Sequence, residues 1–157
     1  MSIIILDTSI VCNIVRIPGK YQNYDEVIHS LREFIQQGFT LLLPMATIIE
    51  TGNHVAQNGD GNQRRQTAER FVEVVNGAIK HEAPWTIPNP LFSPEDLAEY
   101  LVDFPDNAMR KIGLGDLSIV KEFEHQCKLH SDRRVFIWSI DEHLGGYDRQ
   151  APEWVGQ

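Results

Sequence analysis

The 157-residue chain has only two cysteines, Cys12 and Cys127, far apart and with no second pair near either. That excludes a disulfide framework and a zinc knuckle, and it leads us to expect a reducing, cytoplasmic setting. Long apolar runs are missing too. The first ends at Asp7 with no positive charge before it, too short for a secretory leader, and none approaches the roughly 18 residues of a membrane span. A soluble protein with no membrane partner is expected. Positive charge is scarce: 14 Lys and Arg against 22 Asp and Glu give a net charge of −8. A protein that coats nucleic acid by bulk charge is therefore excluded, whereas an enzyme that meets phosphates through metal ions is not. HExxH and GxGxxG are both absent, which argues against a zinc-protease helix and a dinucleotide-binding turn.

What the sequence has is 42% hydrophobic residues in an ordered pattern, enough to bury one substantial core. Ile3 to Leu6 is apolar without alternation, as in a central parallel strand covered on both faces. YDEVIHSLREFIQQG sets Val27, Ile28, Leu31, Phe34 and Ile35 on one helical stripe and ends at Gly38. Phe39 to Leu43 reads as a second buried strand stopped by Pro44, followed by a helix over ATIIETGNHVAQ. RRQTAERFVEVVNGAIK spaces Ala68, Phe71, Val72, Val75 and Ile79 as a helix, and APWTIPNP reads as an irregular connection.

SPEDLAEYLVDFP begins with an N-cap pattern at Ser93, Pro94 and Asp96 and is expected to stop before Pro105. A helix beginning near Asp116, a buried strand from Val135 to Ile140 and a short final strand around Glu153 to Val155 complete the pattern. Strands alternating with helices predict a single domain over 1–157, a three-layer α/β/α sandwich with a central parallel sheet.

Four acids stand out by their places in this pattern. Asp7 and Asp141 each follow a predicted buried strand, at the carboxyl edge where ligand crevices of parallel sheets lie. Glu50 interrupts the apolar start of the helix after the second strand, and Asp116 stands where GLG hands over to a long helix. Each has a plainer reading: Asp7, Asp116 and Asp141 as helix caps, Glu50 as a surface position. Those readings do not explain why all four fall at one edge. Carboxylates about 4 Å apart repel by roughly 4 kcal/mol per pair at an effective dielectric near 20, which a divalent cation resolves. All-oxygen ligation without a nearby Cys or His pair selects Mg²⁺ or Mn²⁺ over zinc.

IIILDTS, the glutamate of TIIETGNH, GLGDLSIV and the terminal WSID together resemble the four-acid pattern of PIN-domain nucleases, the class that includes the VapC-like ribonuclease toxins. The resemblance spans nearly the whole chain and rests on order and placement. It implies Asp7, Glu50, Asp116 and Asp141 as catalytic and metal-binding acids, with Thr8 or Ser9, and Ser139, supplying nearby hydroxyls. It also implies RNA hydrolysis that leaves a 5′-phosphate and a 3′-hydroxyl, with DNA as the other candidate substrate, an antitoxin partner and a homodimer. The interval between Glu50 and Asp116 departs from a compact toxin in holding WTIPNP and an extra capped helix.

Substrate contacts are expected from local cations, because the chain stays acidic even without the four proposed ligands. Arg110 and Lys111 shortly precede Asp116; Arg64, Arg65, Arg70, Arg133 and Arg134 are further candidates, each with a solvated face as the plainer reading. His54, four residues after Glu50, shares its helix face. Trp85, Trp138 and Trp154 read as packing residues. A phosphotransfer receiver would want a lysine where Asp141 stands, and a haloacid dehalogenase-type phosphatase a DxD where Asp7, Thr8 and Ser9 stand. The remaining alternative to a nuclease is a catalytically silent PIN-like module that binds RNA or serves as a scaffold.

Overall fold

The computed structural model describes residues 1–89 and 93–156. Strand β1 (Ile3–Leu6) carries four aliphatic side chains in a row, all buried. A strand with no polar face must be covered on both sides, which places it inside a sheet. Strands β2 (Thr40–Leu42), β3 (Trp85–Thr86), β4 (Val135–Trp138) and β5 (Asp148–Arg149) build that sheet in the order β3-β2-β1-β4-β5. All neighbours are parallel except β5, which pairs antiparallel with β4 at the edge.

The pleat divides β1 between two cores. Ile4 and Leu6 pack with α1 (Thr8–Ile14), α2 (Tyr24–Gln36) and α4 (Gly61–Ile79) on one side. Ile3 and Ile5 pack with α6 (Leu114–Leu129) and the short α7 (Glu142–Gly145) on the other. Helix α3 (Met45–Gln57) gives Val55 to the first core and Ala46 to the second. The last helix to place, α5 (Pro94–Met109), buries Tyr100 and is tied to α6 by an ion pair of 2.8 Å between Lys121 and Asp103. This is the three-layer α/β/α sandwich expected from the sequence.

Local signals account for most boundaries. Gly38 follows α2 with φ +71°, the left-handed turn predicted there. Capping boxes open α4 at Asp60 and Gln63, and α5 at Ser93 and Asp96. From β1 the chain adds β2 and β3 on one side, then returns to add β4 on the other. The order thus reverses between β1 and β4, and the crevice beyond their carboxyl ends is the natural ligand position. Asp7 N–H donates to the Trp138 carbonyl at 3.1 Å, holding the two strands together up to that rim.

Several expectations need correction. The connection at APWTIPNP contains β3, an edge strand of two residues that exists because Leu41 and Leu42 pair with it; its end at Pro90 lies outside the described residues. The fourth strand stops at Trp138, short of Ile140, because Ser139 turns to hydrogen-bond Asp7 and Asp141. The final strand is β5, while Glu153–Gly156 forms a 3₁₀ helix on which Trp154 is 67% exposed, not packed. Ile35, Val72 and Ile79 lie on the exposed sides of their helices.

Helix α5 continues through Pro105 to Met109. Proline lacks the N–H that would bond the carbonyl of Leu101, but Leu101 and Val102 are exposed, so water meets that carbonyl. Pro105→Ala is expected to raise stability by about 1–2 kcal/mol, the restored helical bond being partly offset by a freer unfolded chain. The urea midpoint measures it. A lowered midpoint would mean that the proline bend is needed to seat Tyr100.

Candidate active site

At the strand-order reversal lies a pocket of about 410 Å³ lined by Asp7, Glu50, Asp116 and Asp141, one acid from each of four separate segments. Asp7 is buried at the end of β1 and caps α1. Its Oδ2 receives hydrogen bonds from Ser139 Oγ at 2.7 Å and Ser9 Oγ at 2.9 Å, with the Ser9 N–H at 3.4 Å. Each serine has one hydroxyl proton, and both protons are committed to Asp7. The two hydroxyl oxygens, 3.3 Å apart, instead accept from the backbone: Ser9 from Ile140 N–H and Ser139 from Asp141 N–H, each at 3.0 Å. Oδ2 is therefore saturated, and among the described residues no protein donor reaches Oδ1.

The other acids are placed by equally specific contacts. Thr8 Oγ1 donates to Glu50 Oε2 at 2.9 Å, joining α1 to α3. Glu50 Oε1 lies against the first turn of α6, where a Cβ on residue 115 would come within 1.7 Å of it; Gly115 is what lets the carboxylate stand there. That position also puts negative charge at the positive end of α6. Asp116 is the third residue of α6 and not its cap, which is Gly113. Asp141 caps α7 through His143 N–H at 2.9 Å. Thus Asp7 and Asp141 do cap helices, and they line the pocket as well.

The acids sense one another. Burial first, then the charges of Glu50, Asp7 and Asp141, push the Asp116 carboxyl up to about 6, with His143 opposing. His54 reaches the pocket, as its spacing from Glu50 predicted. Burial first and the Lys20 charge second hold its imidazole below the usual range, against the pull of Glu50. Burial also pushes the Cys12 thiol up to about 11, leaving it unreactive in the pocket wall.

No family model, curated protein or solved structure matches the chain.

Chemically the pocket offers oxygen donors, the ligand type of Mg²⁺ or Mn²⁺. Among the described residues no three His, Cys, Asp or Glu side chains close into a ready-made ion cage. The carboxylates surround a space, which suits an ion that keeps several of its own waters.

Lys20, unremarked in the sequence, also lines the pocket. Among the described residues its ammonium has no carboxylate within 4.0 Å. Its place in a loop gives no periodic signal; the Pro-Gly turn before it is the only local hint. Arg110 and Lys111 are exposed between α5 and α6 and do not line the pocket. Arg65 pairs with Glu69 and Arg134 with Asp148, while Arg64 bonds the Gly59 carbonyl.

A titration tests the raised proton affinity of Asp116, which comes first from burial and then from the neighbouring acids. Asp116 binds its proton more tightly in the folded state, about 6 against an ordinary 3.8, so its contribution favours folding at low pH. That contribution is complete below about pH 4 and is lost as pH rises through about 6. In EDTA, the melting temperature of the wild type relative to Asp116→Asn should fall as pH is raised across this window. Parallel curves for the two proteins would refute the raised affinity.

Proposed function

We propose that the chain is a metal-dependent nuclease of the PIN-domain kind, hydrolysing phosphodiester bonds with RNA as the favoured substrate. The observation that carries this reading is the convergence of Asp7, Glu50, Asp116 and Asp141 on one pocket at the strand-order reversal. Capping alone would explain Asp7 and Asp141. It does not explain Glu50, in the middle of α3, or Gly115, whose missing side chain makes room for that carboxylate.

On this reading the four acids hold Mg²⁺ or Mn²⁺, in part through the ion's own waters. When bound, the ion supplies charge neutralisation for a phosphate and a water of lowered pKa. The remaining work belongs to the chain. Ser9 and Ser139 fix Asp7 by Oδ2, leaving Oδ1 for the pocket, and Thr8 fixes Glu50 by Oε2. These hydroxyls orient the carboxylates, much as outer contacts orient metal ligands elsewhere. Lys20, whose ammonium has no carboxylate partner among the described residues, offers it to a phosphate oxygen, so an acidic pocket still presents a cation to an anionic substrate.

The test is cleavage of labelled single-stranded RNA, single-stranded DNA and duplex DNA in Mg²⁺ and in Mn²⁺. Cutting should vanish in EDTA and fall about 10²- to 10³-fold in Asp7→Asn. Gly115→Ala, which displaces Glu50 without touching a charge, should cost about 10- to 100-fold. No cleavage of any substrate, together with no heat of metal binding in calorimetry, would sink the reading.

A further inference from the structure

The pocket does not end at Lys20. Gly19 and Gln22 line it on one side and also line a second hollow of about 170 Å³, to which, among the described residues, Tyr21 adds the remaining wall. Tyr21 in turn lines a third hollow of about 240 Å³, together with Arg16 and Arg70. Three depressions sharing walls in this way follow one another along the loop between α1 and α2, a track marked out by its side chains. Along it the side chains run from the four acids to Lys20, then an aromatic ring 45% exposed, then two guanidinium groups.

We infer that this track binds a single strand of nucleic acid leaving the active site, an inference that rests on the nuclease reading above. Lys20 takes the phosphate at the pocket, Tyr21 stacks a base, and Arg16 takes a phosphate beyond it. The chemistry matches that class of partner: non-specific single-strand sites combine cations along the backbone path with aromatic platforms for the bases. A duplex keeps its bases stacked on each other and has no use for Tyr21. Among the described residues neither Lys20 nor Arg16 has a carboxylate partner, and the Arg16 guanidinium, 5.8 Å from the centre of the Tyr24 ring, keeps its full charge in that contact.

The loop is also braced. Arg70 donates from Nε to the Val15 carbonyl at 2.8 Å and from Nη2 to the Arg16 carbonyl at 3.3 Å. Ile17 is fully buried, and Asn13 Oδ1 accepts from the Asn23 N–H at 3.0 Å, so both ends of the loop are pinned to helices. Side chains presented from a braced loop lose less freedom on binding.

Binding of a fluorescent single-stranded RNA, and of the same sequence as a duplex, is measured by anisotropy in EDTA over a range of salt. Turnover then plays no part, and melting curves confirm that each variant is folded. The wild type should prefer the single strand. Arg16→Gln and Lys20→Gln should each reduce the slope of log affinity against log salt by about 0.7. Tyr21→Ala should weaken binding roughly 5- to 100-fold, with Tyr21→Phe retaining the affinity.

Unchanged affinity and slope in all three loss variants, or equal affinity for the duplex, would overturn the track. Cleavage by the wild type in Mn²⁺ separates the two ideas. Cutting with unaltered variant binding removes the track and leaves the nuclease. Track-dependent binding without cutting removes the nuclease and leaves a single-strand binding surface.

Discussion

A buried carboxylate at the end of a fully apolar strand is the constraint on which the rest of the structure depends. An unsatisfied charge at Asp7 would cost far more than one aliphatic neighbour contributes by its burial, so the carboxylate must find donors. The donors come from two directions. Ser9 follows Asp7 into α1, and Ser139 follows β4, the strand paired with β1. Charge-assisted hydrogen bonds to one oxygen thereby fix how α1 begins, where β4 must stop and where Asp141 emerges. Because the serine protons are spent on Asp7, the backbone N–H groups of Ile140 and Asp141 find their acceptors in the serine oxygens. Removing either hydroxyl would leave a backbone donor and a carboxylate oxygen short at once.

The same logic extends across the pocket by steric means. Thr8, next to Asp7, reaches Glu50 on α3, and Glu50 occupies the room that Gly115 leaves at the start of α6. Contacts among or beside the acids thus add to the sheet and the two cores in holding α1, α3 and α6 together. Donors are shared out unevenly among the acids. Asp7, Glu50 and Asp141 each accept from a hydroxyl or a backbone N–H, whereas Asp116 has no such donor among the described residues, and its proton affinity is raised first by burial and then by the neighbouring charges.

How much of this was legible in the sequence follows from the range of the signals. The central strand, α2, α3 and the capping box of α5 are specified by neighbours within a few residues, and periodicity finds them. The edge strands β3 and β5 have two residues each and owe their existence to the strands beside them. Pro105 misled because a proline ends a helix only when the lost bond cannot be met by solvent. The four acids were found through their common place at strand ends and helix starts, a rule of parallel sheets that needs no distances. Lys20 was not, because only the turn of the loop, pinned by Arg70 and Asn13, brings it back over the pocket. Arg110 and Lys111 show the converse: closeness to Asp116 along the chain did not carry them to the pocket, since the turn into α6 separates them from it.

If the chain is the nuclease proposed, an acidic protein has to handle a polyanion and must separate attraction from repulsion in space. Many of the basic residues already have structural work. Arg134 is paired with Asp148, Lys121 with Asp103, and Arg149 donates to three backbone carbonyls. Such cations are neutralised or saturated and add little to a surface field. Among the described residues Lys20 and Arg16 are in no ion pair, Arg16 lying over the Tyr24 ring, and both are on the loop between α1 and α2. With a net charge of −8, long-range steering toward nucleic acid is unfavourable, so capture has to come from short-range contacts that salt weakens but bulk charge does not dictate. On the proposed reading, placing Lys20 beside the carboxylates, instead of among them, avoids internal ion pairs and leaves the acids for a divalent ion and the ammonium for a phosphate.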